Sequence, residues 1–195
     1  AGFPHHSLNT YLPKLVRAGE RVAICDQLED PKQTKKIVKR GVTELVTPGV
    51  ALNDEVLQSK SNNFLAALQF SKNVIGISFL DVSTGEFLVS QGKIEYIDKL
   101  LRNFSPSEVL VAKKDKATFK SHFQEEFNVF YLEDWLFKLD YANDSLNQHF
   151  ETTSLKGFGV EGIDEGIIAS GAILHYLNET QHDKLKHLTR ISRIP

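Results

Sequence analysis

Six of the carboxylates beyond residue 80 are candidate ligands for metal-dependent chemistry. They are Asp81, Glu86, Asp98, Asp115, Glu161 and Asp164. Two-metal nucleases hold a pair of divalent ions about 4 Å apart between several such acids. Asp81 comes at the end of a strand-like run, where a first metal ligand would lie, whereas the other acids are typical of helix caps and turns. The pattern favours structural carboxylates and leaves a ribonuclease H-like metal-dependent nuclease as the alternative.

A glycine-rich segment, Gly157 to Gly162, has the form G-x-G-x-x-G and precedes a predicted helix. This spacing can place a dinucleotide pyrophosphate at a helix N-terminus. No strand is predicted to enter the segment, so we interpret it as an approach that lets the last helix pack closely. A nucleotide-binding module remains an alternative, although the chain has no G-x-x-x-x-G-K-[ST] motif.

Histidine and cysteine give no recognisable metal-ligand spacing. His5-His6 and the pair His175 and His182 lack accompanying ligands at fixed intervals, so we expect no metal site and no catalytic residue. Cys25 is the only cysteine and cannot form an internal disulfide, which favours the reducing cytoplasm. The longest apolar stretch is far shorter than the roughly 20 residues of a membrane span, so we expect no membrane partner.

Charge is distributed unevenly along the chain. Residues 1–50 carry eight Lys and Arg against five Asp and Glu, a net charge of +3, and the remainder carries −5. A basic surface can bind phosphate without choosing a sequence, although a solvated charged face is the alternative. The candidates for contact with a DNA backbone are Pro4, His6, Ser7, Lys32, Lys35, Lys36, Lys39 and Arg40.

The elements that would position these candidates are a helix, a strand, a second helix and a second strand. Ser7 can cap a helix that contains Pro13 and ends at Gly19. Asp30-Pro31 is a strong helix start, so the basic run is predicted to be a helix over 31–40 that Gly41 stops. Strands are predicted for residues 21–25 and 42–46.

The remainder of the chain predicts an α/β fold. Three strand-like runs joined by tight turns form an antiparallel meander over residues 64–70, 74–82 and 86–91. Helices and strands then alternate up to a long helix over residues 162–180, in which small residues four apart allow another element to approach closely. A mixed sheet with flanking helices follows, in the order of a ribonuclease H-like domain.

Several segments resemble the MutS family of DNA mismatch repair proteins. The family has the forms A-G-V-P-Y-H-A, V-A-I-C-E-Q, D-P and V-T-P-G at matching spacing. Here they read Ala1-Gly2-Phe3-Pro4-His5-His6-Ser7, Val22-Ala23-Ile24-Cys25-Asp26-Gln27, Asp30-Pro31 and Val46-Thr47-Pro48-Gly49. The later segments Leu80-Asp81-Val82-Ser83-Thr84-Gly85-Glu86-Phe87 and Gly157-Phe158-Gly159-Val160-Glu161 also resemble that family. Phe3, His5 and Asp26 depart from its usual residues.

The resemblance implies a domain division. Residues 1–48 would be the C-terminal part of an α/β mismatch-recognition domain, 49–62 a linker, 63–185 a ribonuclease H-like connector domain, and 186–195 the start of the core domain. Because the chain has no methionine and begins abruptly, we expect it to come from a longer protein.

The resemblance also implies a function. Full-length members are homodimers that bind mismatched double-stranded DNA, use ATP and Mg²⁺, and signal to MutL, which the connector contacts. Their mismatch-reading Phe-x-Glu motif precedes the segment that matches Ala1. This piece is therefore expected to be a non-enzymatic scaffold and a monomer, with no cofactor of its own.

Overall fold

The computed structural model describes residues 2–30, 37–50, 62–123, 127–180 and 185–194. The helices in these ranges are α1 Leu8–Arg17, α2 Ile94–Phe104, α3 Lys116–Phe123, α4 Leu139–His149 and α5 Asp164–Glu179. The strands are β1 Val22–Gln27, β2 Arg40–Val46, β3 Phe64–Phe70, β4 Ile75–Asp81, β5 Glu86–Gly92, β6 Glu108–Ala112, β7 Val129–Leu132 and β8 Ser192–Arg193. We call residues 2–50 the ribbon unit and residues 62–194 the sheet unit, in both cases as far as they are described.

The ribbon unit is an antiparallel pair, β1 and β2, with α1 packed on one side. Its small core is formed by apolar residues that recur on one face of the helix and on the strands, namely Leu12, Val16, Val22 and Val46. Gly19 ends the helix region with a φ of +86°, a conformation that favours glycine. The predicted helix and both predicted strands are therefore present, although Ser7 stands at the N-cap without a side-chain cap hydrogen bond.

The predicted helix over residues 31–40 is wrong at its C-terminal end. Residues 37–39 have no regular secondary structure, and Arg40 begins β2, in which Gly41 pairs with Asp26. The ladder hydrogen bonds of an antiparallel ribbon satisfy the backbone here, so Gly41 does not stop a helix. Residues 31–36 lie outside the described residues.

The sheet unit is built on a mixed sheet with the strand order β7-β6-β3-β4-β5-β8. The central β3-β4-β5 meander is antiparallel, whereas β6, β7 and β8 join it by parallel pairing. The turn at Gly85, with a φ of +77°, connects β4 to β5. The predicted mixed α/β architecture, with a meander followed by parallel strands, is confirmed.

Both faces of this sheet are buried. Alternate residues of the strands point to opposite faces, one covered by α4 and α5 and the other by α2 and α3. β4 shows the alternation clearly. Ile75, Ile77 and Phe79 belong to the α2 side, whereas the Ser78 hydroxyl accepts a hydrogen bond from Ser170 of α5. No stretch of a described helix is both long and apolar enough to cross a membrane.

Two further segments complete the sheet unit. The stretch from Trp135 to Phe150 contains the helix α4. At the other end, Leu188 and Ile191 are buried in the same cluster as the sheet, and β8 pairs with β5. The last described residues therefore pack on the sheet unit.

Candidate nucleic-acid interface

The first candidate group lies at the start of α1. Pro4 precedes a 3-10 turn, His5–Ser7, and its carbonyl accepts the amide of Ser7 at 2.9 Å. Pro4 and His6 are exposed and Ser7 is half-buried. The first turn of α1 has no acidic residue, so no carboxylate on this helix neutralises the positive end of its dipole. This end of the helix can attract a phosphate group.

The start of α1 is held against the ribbon by a contact that the sequence did not indicate. His5 Nε2 lies 3.2 Å from Asp26 Oδ1, and Thr43 Oγ1 donates to Asp26 Oδ2 at 2.6 Å. Asp26 also stands opposite Gly41 in the ladder. The helix start and the first residues of β2 therefore lie at the same end of the ribbon.

The second candidate group consists of the basic residues before and at the start of β2. Lys39 and Arg40 are exposed, and the Lys39 carbonyl accepts the amide of Leu28 at 2.9 Å. Lys39 Nζ is 3.6 Å from a carboxylate oxygen of Glu29 in an exposed ion pair. Arg40 pairs with Gln27 at the end of the ladder. Three further candidates, Lys32, Lys35 and Lys36, lie outside the described residues.

These groups together can bind a polyanion without reading bases. The start of α1 offers the positive end of a helix dipole and Arg40 offers a guanidinium, and both attract phosphate oxygens. The exposed pair between Lys39 and Glu29 is weak and can exchange for a phosphate partner. The site is therefore suited to contact the phosphate backbone of a nucleic acid.

The structure does not fit the alternative in which Asp81 is a metal ligand of a nuclease. Its side chain is fully buried and accepts four hydrogen bonds. The donors are the amides of Asn63, Ser83 and Thr84 and the hydroxyl of Ser83, at 2.6 to 3.4 Å. A carboxylate held in this way has its lone pairs engaged by the turn after β4, so its role is structural.

The other acids are dispersed over the sheet unit. Asp98 pairs with Arg102 on α2, Glu86 accepts from Asn62, and Glu161 lies 3.7 Å from Lys156. Within the described ranges, no group of three or more His, Cys, Asp or Glu is arranged to hold a metal ion. His175 instead contacts Tyr141 and Glu179, and His182 lies outside the described residues.

The glycine-rich segment has no incoming strand. A 3-10 turn, Leu155–Phe158, includes its first two residues, and Gly159 and Gly162 have φ values of +70° and +72°. Asp164 and Glu165 place negative charge in the first turn of α5, which disfavours a pyrophosphate there. The amide of Glu165 is already bound by Gln91 Oε1 at 3.1 Å.

Known proteins match both units in sequence order. The family model for MutS domain I matches residues 1–55, and the family model for MutS domain II matches residues 63–189. The DNA mismatch repair protein MutS of Flavobacterium psychrophilum is 71% identical over 194 residues, which cover 100% of this chain and 22% of that relative. The chain belongs to the MutS family.

Other MutS relatives show the same coverage. The DNA mismatch repair proteins MutS of Flavobacterium johnsoniae and Bacteroides fragilis are 72% and 59% identical over 194 residues. The chain spans 22% of the length of each. The match to MutS confirms the resemblance, and it does not support the nuclease alternative.

One tripeptide of the chain has the Phe-x-Glu sequence that the resemblance to the MutS family associates with mismatch reading. Phe123-Gln124-Glu125 reads Phe-x-Glu, but Phe123 is only 2% exposed and packs against Phe119 at a ring distance of 5.1 Å. A core phenylalanine cannot insert between bases, so we do not assign this tripeptide a role in mismatch reading.

Proposed function

We propose that this chain is the scaffold and relay portion of a MutS mismatch repair protein. The observation that carries the proposal is the consecutive match of both MutS domain models along one chain. Residues 1–48 would form the C-terminal part of the mismatch-recognition domain, and 63–185 the connector, joined by 49–62. Residues 186–195 would begin the core domain.

The strand order supports a ribonuclease H-like description of the connector. The order β5-β4-β3-β6-β7 has an antiparallel meander and two parallel strands beside the first strand of that meander. The structural role of Asp81 explains why such a domain would lack nuclease activity. We propose a connector that transmits conformation and performs no chemistry.

The ribbon unit would contact the DNA backbone. Phosphate contacts position a protein on a duplex, whereas discrimination of bases needs groove contacts or deformation of the duplex. Pro4, His6, Ser7, Lys39 and Arg40 supply only the first kind of contact. The portion of MutS that this chain does not match would contain the wedge that opens a mismatch. That portion would also bind ATP and Mg²⁺.

The remaining partners follow from the family. The connector would offer a surface to MutL, which a pull-down with MutL tests, and full-length MutS would be a homodimer in the bacterial cytoplasm. We expect this chain to be a monomer by light scattering.

A gel-shift titration tests the DNA contact. We expect the chain to bind matched and mismatched duplexes weakly and equally, with affinity that falls as salt rises, because its contacts are electrostatic. Arg40→Gln should weaken binding to both duplexes and reduce the slope of log affinity against log salt by about 1. Lys99→Gln, at an exposed position of α2, is the matched control and should change neither.

Two results would contradict the proposal. A strong preference for the mismatched duplex would show that the chain contains its own mismatch reader. An equal effect of Arg40→Gln and Lys99→Gln would show that binding depends on net charge and not on the ribbon end.

A further inference from the structure

Two carboxylates, Asp81 and Glu108, are buried in the described part of the sheet unit, at 0% and 1% exposure. Both flank the beginning of β3, where Phe64 pairs with Asp81 and Leu65 pairs with Glu108. Burial of a carboxylate is unfavourable unless hydrogen bonds replace its water. The origin of those hydrogen bonds therefore shows what each carboxylate holds together.

The two carboxylates differ in their partners. All donors to Asp81 come from residues 63–84 of the sheet unit. Glu108 Oε2 accepts from Thr47 Oγ1 at 2.7 Å and from the Gly49 amide at 3.1 Å, whereas its Oε1 accepts from Tyr176 Oη at 2.8 Å. One oxygen thus serves the ribbon unit and the other serves the sheet unit.

The donor from the sheet unit is fixed in its protonated form. Burial, with the nearby Glu108 carboxylate, raises the pKa of the Tyr176 phenol well above its usual range. The phenol therefore remains a donor to Glu108 across physiological pH. Tyr176 is itself only 1% exposed and lies on α5, which packs against β3 and β4.

The backbone of the ribbon unit closes tightly around this carboxylate. A Cβ on Gly49 would lie 2.7 Å from Leu65 Cδ1 and 3.0 Å from Glu108 Cβ, so glycine is needed for the close approach. Thr47 is fully buried, and the Pro48 carbonyl accepts Asn63 Nδ2 at 3.0 Å. The last residues of the ribbon unit are therefore packed directly against the sheet.

We propose that Glu108 is a positioning residue that locks the ribbon unit onto the sheet unit in a single orientation. Its carboxylate presents one acceptor oxygen to each unit, which an apolar side chain cannot do. If the chain works as proposed above, the lock makes the connector follow the DNA-contacting unit as one rigid body. The lock itself is a property of this chain without DNA, so it stands or falls independently of the proposed function.

The distance between the two units tests the lock. Cys25 is the only cysteine and is exposed on β1, so it takes a spin label in the native chain. A second label at Lys99→Cys lies on α2 of the sheet unit. The distribution of distances between the two labels can then be measured by pulsed electron paramagnetic resonance. We expect one narrow peak, and we expect Glu108→Ala to abolish it in favour of a broad distribution.

Two hydroxyl variants form a matched pair. Thr47→Val and Tyr176→Phe each remove one hydrogen bond from the same carboxylate, but only Thr47 lies in the ribbon unit. Thr47→Val should broaden or shift the peak, and Tyr176→Phe should leave it narrow. Glu108→Gln should restore much of the peak that Glu108→Ala loses, because its amide oxygen can still face Thr47 and Gly49.

Each result decides the proposal. It is overturned if Glu108→Ala keeps the narrow peak, or if Thr47→Val and Tyr176→Phe act equally. Should Glu108→Ala fail to fold by circular dichroism, the hydroxyl pair carries the test alone. In that case, a change in the distance peak with Thr47→Val but not with Tyr176→Phe supports the lock. An equal effect of the two variants overturns it.

Discussion

Asp115 is a carboxylate whose burial destabilises the folded state. It lies just before α3, and its Oδ2 atom is buried without a hydrogen-bond partner in the described structure. Burial raises its pKa above 3.8, the nearby Lys114 charge lowers it in part, and Asp134 adds a smaller increase. The folded state therefore disfavours the charged form of Asp115. Its hydrogen bonding differs from that of Asp81 and Glu108, in which both carboxylate oxygens accept hydrogen bonds.

We predict that Asp115→Asn stabilises the protein at neutral pH. Because the folded pKa is above the unfolded pKa, the unfavourable contribution is complete above the folded value and disappears as the pH falls below about 3.8. The gain should be less than about 1 kcal/mol, or roughly 3 °C in Tm, and should vanish toward that pH. Thermal melts over a pH series measure it.

Asp98→Asn is the control for this prediction. Asp98 accepts two hydrogen bonds from Arg102 Nε, so its replacement should give no gain. A stability increase from Asp115→Asn that persists unchanged at low pH would contradict the charge explanation.

At the scale of elements, α5 lies unusually close to the sheet because small residues face each other. A Cβ at Gly166 would lie 2.7 Å from the Ser90 carbonyl, and Ser170 Oγ donates to Ser78 Oγ at 2.9 Å. The sequence predicted this close approach from the spacing of Gly162, Gly166 and Ser170. Gly162 does not take part, since a Cβ there would meet nothing within 4 Å.

We predict that Gly76→Ala destabilises the protein by about 1–3 kcal/mol or more, because it overpacks this interface. Its Cβ would lie 2.0 Å from the backbone carbon of Glu165, so α5 itself would have to move. Urea denaturation measures the change. Gly157→Ala is the matched control, expected within about 0.5 kcal/mol of wild type, because its Cβ would contact nothing. Equal midpoints for the two variants would refute the close packing of α5.

The elements that the sequence predicted best are those with strong local patterns. The meander, the helix from Ile94 and the long helix α5 follow from alternation, turns and apolar periodicity. The error at Arg40 and Gly41 arose because long-range pairing with β1 outweighs a local helix start signal. The contacts of His5 with Asp26 and of Glu108 with Thr47 join residues 21 and 61 positions apart. No local pattern encodes them.

At the scale of the whole molecule, the two units are joined by a packed junction. Val50, at the end of the ribbon unit, is 1% exposed and belongs to the main cluster of the sheet unit. The Arg21 guanidinium lies 3.6 Å from the centre of the Phe130 ring, and the Leu45 amide donates to the Thr180 carbonyl at 3.4 Å. Apolar burial, a cation–π contact and hydrogen bonds thus cross the same junction.

This continuity predicts that the two units unfold together. Trp135 is the only tryptophan and lies in the sheet unit, whereas a dye on Cys25 reports on the ribbon unit. We expect their urea transitions to coincide, because a cooperative transition has one midpoint for every probe. Val50→Ala should lower both midpoints equally, at a cost of about 1–3 kcal/mol from lost burial and the cavity left behind. An earlier transition at Cys25 than at Trp135 would show that the ribbon unit opens independently, and the junction would then be too weak to transmit its position to the sheet.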